Sequence, residues 1–373
     1  MKEIRFGVIG CGMMGREFAS TAARWMHLLE MPAKPVITAV SDLNPEALEW
    51  FKTHHTLSLA TTNYQELLQN PELDAIYCAV PHNMHEQIYV DCIKAGKHLF
   101  AEKPFGINLS AATRIIESMN QHPEVLVRCS SEFPFYPGAQ AISDMVREKT
   151  FGQIIEVRAS FCHSSDLDPQ KPINWKRQSE TNGEYGCMGD LGLHVLHLPL
   201  RFGFKPTNVR AMLSNIFPTR PNSYGGFSSC DTWDNAIMAC ESEQGFPMIF
   251  ETKRVSPGDT NTWSISILGT KNSAEFTTKR PKTFRTLPYQ SGCKQTWLEE
   301  DLGYSSAYPT ITGHIFEFGF SDAVLQMWAA FIDELSGNTP RFGCATPQEA
   351  LASHQLFTAA LESQRTGNTI QIA

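Results

Sequence analysis

The chain has 373 residues, with 31 Lys and Arg against 39 Asp and Glu and a formal charge of −8, a length that suggests two domains. Net acidity without a polybasic run argues against nucleic-acid binding, and apolar stretches such as Ala323 to Ile332 are too short to span a bilayer. The ten cysteines show neither C-x-x-C pairs nor a framework spacing, so they read as reduced thiols of a cytoplasmic protein.

Residues 5 to 15 form a short apolar strand that runs into Gly10, Gly12 and Gly15. This is the G-x-G-x-x-G turn of a dinucleotide-binding strand–turn–helix. Gly10 allows the tight turn, Gly12 lets the backbone approach a pyrophosphate, and Gly15 lets the helix pack on the strand. Met13 and Met14 lie inside the turn, and a helix is expected from Arg16 to about Leu29. Its N-terminal amides would point at phosphate oxygens. The next strand, Pro35 to Asp42, ends on a carboxylate that can accept hydrogen bonds from ribose hydroxyls and so select NAD over NADP. Asp42 equally suits the start of the Asp-Leu-Asn-Pro turn, as a helix cap. The opening apolar run breaks on the glycines and lacks a cleavage site, so it is not read as a signal peptide.

Strands at Val36–Val40, Ala75–Val80, His98–Ala101 and Val125–Cys129 alternate with helices at Pro45–His54, Tyr64–Gln69, Met84–Ala95 and Ser110–Met119. That alternation predicts a doubly wound parallel sheet in a domain over residues 1–125. From residue 126 to 373 the rhythm changes to long two-period runs, among them Gln153–Cys162, Trp233–Glu241 and Thr262–Gly269. They predict a large mixed, mostly antiparallel sheet in an α+β domain. Helices are expected at Ala139–Glu148, Met188–Phe202, Ala323–Ser336 and Pro347–Gln364, the last of them able to pack back on the first domain. Residues 217–232 and 279–312 read as loops. Strand Trp233–Glu241 is apolar on both alternations, as expected of a sheet covered on both faces, and a homodimer or homotetramer follows.

Three clusters carry chemistry. Ala101-Glu-Lys-Pro104 ends a strand of the parallel sheet, where open α/β sheets bind ligands. Glu102 and Lys103 would then face the cofactor, and a cationic ring nearby would disfavour the lysine's ammonium form. A solvated turn lysine is the alternative. In Gly186-Cys-Met-Gly-Asp-Leu-Gly-Leu-His194, Asp190 and His194 share a helix face, so a carboxylate can orient an imidazole base. Such pairs also occur as surface pairs or caps. Pro81, His82 and His85 follow a strand and open a helix where they can line the cofactor, although His85 also suits packing.

Together the glycine turn, Pro81 with His85, the string Ala95 to Pro104, and Asp190-x-Gly-x-His194 resemble the Gfo/Idh/MocA oxidoreductases along essentially the whole chain. The resemblance implies a Rossmann domain that binds NAD, a second domain on a large mixed sheet, and hydride transfer at a sugar or polyol carbinol carbon. By it Lys103 is the catalytic lysine, Asp190 the substrate-orienting aspartate and His194 the acid/base histidine. A glycosidase that keeps its NAD and releases no net NADH is the alternative enzyme, and a dinucleotide sensor the non-catalytic one.

Other residues are read individually. Trp175 can stack on a sugar face, Lys176 or Arg177 can hold an anionic group, and His163 and Tyr136 are candidate substrate walls. His197, one turn past His194, is read as a substrate or structural contact. The stripe Cys187, Asp190, His194 and His197 lacks the supporting ligands of a zinc site, and no metal is expected. Lys253 and Arg254 end a strand and read as solvated.

Overall fold

The structure, a computed structural model, describes residues 1–372, so Ala373 of the expected second domain lies outside the described residues. It opens with β1 Lys2–Ile9, α1 Met13–Ala23, β2 Ala33–Ser41, α2 Pro45–Phe51, β3 Leu59–Thr61 and α3 Gln65–Leu68. Then come β4 Ala75–Cys78, α4 His85–Lys94, β5 His98–Ala101, α5 Leu109–Gln121 and β6 Val127–Cys129. These strands form one parallel sheet in the order β3-β2-β1-β4-β5-β6. Strand order reverses between β1 and β4, which opens a crevice at their C-terminal ends.

Two boundaries differ from the expected ones. The first domain runs past residue 125, because β6 completes the sheet with Val127 paired to Leu99. Helix α1 starts at Met13 and ends at Ala23, where a 3-10 turn over Trp25–His27 takes over. There the buried Trp25 donates Nε1–H to the Ala33 carbonyl at 3.0 Å, which turns the chain into β2.

The second part contains α6 Pro137–Arg147, β7 Ile154–Cys162, α7 Ser179–Asn182, α8 Cys187–Arg201, β8 Pro206–Ser214, β9 Thr219–Pro221 and β10 Phe227–Ser229. The strands β11 Asn235–Ser242, β12 Pro247–Lys253, β13 Thr262–Gly269, β14 Asn272–Thr277, β15 Thr283–Pro288 and β16 Leu298–Asp301 follow. The chain closes with α9 Phe320–Leu335, α10 Pro347–Thr366 and β17 Ile370–Gln371. Nine strands form a sheet in the order β16-β15-β14-β13-β7-β12-β11-β8-β17, antiparallel except where β7 meets β12. Both segments expected as loops hold strands: the β9–β10 hairpin, and β15 with β16. Phe284 and Thr286 of β15 point into the core while their neighbours face out, an alternation too short and polar to stand out in the sequence.

Helix α8 lies on the inner face of this sheet, buried from Cys187 to Leu200. Helix α10 packs on α8, β8 and α5. Helix α9, although placed with the second domain by the sequence, docks on the first. Its Trp328 stacks on Phe18 at 3.8 Å between centroids and meets Phe100 at 4.4 Å. On the outer face of the large sheet, Met212 is exposed, Ile237 half-buried and Ala239 exposed. That face is open within one chain.

Candidate active site

The ends of β1, β4 and β5 converge on a cavity of about 550 Å³ that also takes in residues of the second domain. Gly10 enters it at φ +98°, and a Cβ there would stand 2.3 Å from the Ala79 carbonyl oxygen. At Gly15 a Cβ would meet the Gly10 carbonyl oxygen at 2.2 Å, so α1 packs directly on the turn. A Cβ at Gly12 would meet nothing within 4 Å. Gly12 caps α1 without a side-chain hydrogen bond, which leaves the first-turn amides open to the cavity alongside Met13 and Met14. Just past β2, Asp42 accepts the Cys11 amide on Oδ2 at 2.7 Å and the Asn44 amide on Oδ1 at 2.8 Å. Free helix-start amides at one point and a fixed carboxylate at another fit a dinucleotide's pyrophosphate and ribose.

Pro81, His82, Glu102 and Lys103 form the middle of the same cavity, and Trp175, Lys176 and Asp190 close its far end. The His82 ring stands 3.0 Å from the Asn182 carbonyl and edge-on to Trp175 at 4.8 Å. Glu102 is buried and accepts the Tyr77 hydroxyl at 2.8 Å. The Lys103–Pro104 peptide is cis, and Lys103 Nζ lies 3.1 Å from Asp190 Oδ1.

Asp190 anchors a buried chain of ion pairs. Besides Lys103 it receives Lys176 at 3.1 and 3.2 Å and a guanidinium N–H from Arg254. Arg254 also lies 3.5 Å from Asp166, which takes Lys171 at 2.8 Å and Arg177, and Arg177 reaches on to Asp234. Burial alone would raise the Asp190 pKa, but Arg254, Lys103 and Lys176 together hold it well below the usual carboxylate range. For Lys103 burial works toward the neutral amine, yet Asp190, Glu102 and Glu132 outweigh it and its pKa rises. The protein's own side chains thus favour the Lys103 ammonium, opposite in sign to the effect expected of a cationic ring nearby. The depressed lysine is instead Lys176, which burial lowers to about 8, with Arg254 and Lys103 adding repulsion against the pull of Asp190.

Several expected site residues lie elsewhere. His85 is fully buried, with its ring nitrogens at 2.7 Å from the Pro104 carbonyl and 2.9 Å from that of Val80, so it props the Lys103 turn. Arg177 has no exposed surface and serves Asp166 and Asp234. Tyr136 is packed among Phe133, Phe276 and Phe318. His197 is enclosed by Arg201, at 3.1 Å, and the Phe342 ring. His163 stays outside the cavity lining, bonded to Ser165 at 2.6 Å, with Arg254 and Asp190 near it. Cys187 is a core thiol that meets Thr252. Arg254, read as solvated, is 2% exposed because it neutralises Asp190. Nor does Asp190 hold His194: it pairs with Lys103, Lys176 and Arg254, and the carboxylate paired with the imidazole is Glu132, at 3.7 Å. Among the described residues no group of three or more His, Cys, Asp or Glu side chains is arranged to hold a metal. No described helix is long and apolar enough to cross a membrane.

Residues 4–128 match a family model described as an oxidoreductase family, NAD-binding Rossmann fold, and residues 139–275 match the GFO/IDH/MocA C-terminal domain. The first domain is thus an NAD-binding Rossmann domain. The chain is similar to levoglucosan dehydrogenase of Pseudarthrobacter phenanthrenivorans, 23% identical over 294 residues that make up 75% of each protein. It is also similar to trans-1,2-dihydrobenzene-1,2-diol dehydrogenase of Sus scrofa, 23% identical over 211 residues, or 56% of this chain and 59% of that one. A solved levoglucosan dehydrogenase in complex with NADH and levoglucosan matches at a TM-score of 0.89 and 20% identity, covering 100% of both chains. That likeness shows the fold.

Proposed function

Because the chain belongs to the Gfo/Idh/MocA oxidoreductase family, we propose that it oxidises a carbinol carbon of a sugar, an inositol-like polyol or a glycoside with NAD⁺. The observation that carries this reading is the Lys103–Asp190 pair at the end of the dinucleotide cavity, 3.1 Å apart and joined there by Lys176 and Trp175. NAD⁺, when bound, supplies the hydride acceptor. The chain supplies the rest. Trp175 offers an apolar wall for a pyranose or cyclitol face. Asp190, fixed by three cations, accepts substrate hydroxyls, and the Lys103 ammonium donates to the reacting oxygen and stabilises negative charge as it develops there. His194 takes the hydroxyl proton.

The test is a screen of levoglucosan, monosaccharides, inositols and aryl glycosides with NAD⁺, following NADH absorbance and aglycone release together. NADH accumulation supports a dehydrogenase. Aglycone release without net NADH would replace it by the NAD-retaining glycosidase, and no turnover in any class by a protein that binds NAD⁺ would remove both.

Asp42 should decide the dinucleotide. Its carboxylate is pinned by two backbone amides, so a 2′-phosphate would meet fixed negative charge. NAD⁺ should bind more tightly than NADP⁺ by about tenfold or more, and Asp42→Ser with Leu43→Arg should shift the ratio toward NADP⁺. Tighter NADP⁺ binding by the unaltered protein in fluorescence titrations would refute the ribose assignment. The ten free cysteines support a reducing compartment, the cytoplasm. The apolar residues left open on the outer sheet face support a homodimer or homotetramer, and light scattering showing only monomer at micromolar concentration would rule it out.

A further inference from the structure

His194 is 2% exposed and sits edge-on to Phe133 and Phe161, at 5.3 and 5.4 Å between centroids. Its carbonyl accepts the Trp263 indole N–H at 2.8 Å, which fixes that turn of α8. The imidazole Nδ1 is buried and makes no hydrogen bond, and the carboxylate facing it is Glu132 Oε2 at 3.7 Å. Glu132, 5% exposed, stands in the loop just after β6. Asp190 is turned to Lys103, Lys176 and Arg254 and makes no ion pair with the imidazole. Hydrogen bonds between catalytic groups are often long in ligand-free proteins and tighten in the working complex.

We propose that Glu132 is the positioning residue for His194: its carboxylate accepts the Nδ1–H, leaves Nε2 free to take the substrate's hydroxyl proton, and balances the imidazolium that results. This rests on the dehydrogenase reading. In that step the O–H bond breaks and an Nε2–H bond forms. The oxygen's electron pair becomes the C=O bond as the carbinol hydrogen leaves with two electrons for NAD⁺. The arrangement repeats the role of the buried aspartate in a serine-protease triad, which orients an imidazole and sets its tautomer.

The electrostatics of the pair give the proposal a pH signature. Glu132 faces Glu102, Lys103 and Glu17 and lies near the hydroxyls of Tyr77 and Tyr136. Burial and Glu102 push it up to about 7, against the pull of Lys103. His194 is held well below the usual imidazole range by burial, Lys103, His197 and Lys176, with Asp190 opposing. The proton that leaves the pair near neutrality is therefore the carboxyl proton. Below that pH a protonated Glu132 donates to Nδ1 and forces the ring hydrogen onto Nε2, the wrong tautomer for a base. Above it the carboxylate accepts from Nδ1.

The test reads the tautomer directly, without a substrate. In the full chain with histidines labelled by nitrogen-15, and His194→Ala used for assignment, His194 should carry its hydrogen on Nδ1 at pH 8. It should convert to the Nε2–H form toward pH 6, with a midpoint near 7. Glu132→Gln should abolish the conversion and Glu132→Asp should retain it, with NAD⁺ affinity and melting temperature reporting the fold of each. If Glu132→Gln does not fold, unaltered protein and Glu132→Asp decide. A His194 that carries its hydrogen on Nε2 at pH 8, or a tautomer that is the same in Glu132→Gln as in the unaltered protein, overturns the proposal. Once the screen gives a substrate, the oxidative kcat/KM of Glu132→Gln should fall about 10²-fold or more and lose its rise through neutral pH, with KM little altered. A failed screen would remove the dehydrogenase reading and leave the tautomer result standing.

Discussion

Replacing Lys103 by Met is expected to leave a folded, NAD-binding protein whose turnover falls by the roughly 10²–10³-fold that loss of a preorganised oxyanion donor costs, or more. The fold should survive because Lys103 is one of three cations on Asp190, with Arg254 and Lys176 remaining after its loss. The Met stem also fills the space of the lysine's methylenes. Cofactor affinity should hold within a few fold, since the Gly10–Gly15 turn and Asp42 sit at the other end of the cavity. What disappears is a fixed ammonium at the reacting oxygen. Its raised pKa keeps Lys103 charged across neutral pH, so it acts as a donor and charge stabiliser while the proton goes to His194. Single-turnover NADH formation beside NAD⁺ titration checks this, on a substrate confirmed for the unaltered protein. Near-normal turnover in well-folded Lys103→Met would remove the mechanism.

The sequence exposed those parts of the site that are local. A strand, three glycines and a helix lie within 22 residues of the first strand's start, and Glu102-Lys103-Pro104 directly follows β5. What it hid depends on long-range meeting. Arg254 and Asp190 are 64 residues apart, and nothing next to Arg254 marks it as the partner of a buried carboxylate. Glu132 and His194 meet across two domains with an aromatic Phe-Pro-Phe as the only neighbouring feature. His197, open in the sequence between a substrate and a structural contact, is enclosed by Arg201 and Phe342 for a geometric reason. Seven residues beyond Asp190, it returns to nearly the same helix face but lies about 10 Å further along the axis, past the end of the cavity. Periodicity gives the face of a helix and says nothing of how far along it a cavity extends. Arg177 next to Lys176 shows the same limit, one side chain entering the cavity and its neighbour turning to Asp166 and Asp234.

Asp190→Ala should fail in the opposite way to Lys103→Met, losing stability as well as chemistry. Removing the carboxylate leaves Arg254, Lys103 and Lys176 around an empty site. Breaking a buried pair from one side costs about 3–5 kcal/mol. Two features pull the cost toward the lower end: Arg254 keeps Asp166 at 3.5 Å, and Lys176, already lowered to about 8 with Asp190 present, can shed its proton at neutral pH. Arg254 cannot. The pH dependence has a definite sign. The folded pKa of Asp190 is depressed, so its contribution is complete above the unfolded value of about 3.9 and is lost as pH falls through the still lower folded value. The gap in urea midpoint between the unaltered protein and Asp190→Ala should therefore be full at pH 7 and narrow only in strong acid. Asp190→Asn, which keeps the shape and one acceptor oxygen, should fall between the two. An Asp190→Ala midpoint equal to that of the unaltered protein at pH 7 would mean that the three cations find other partners, and Asp190 would then be a substrate contact alone.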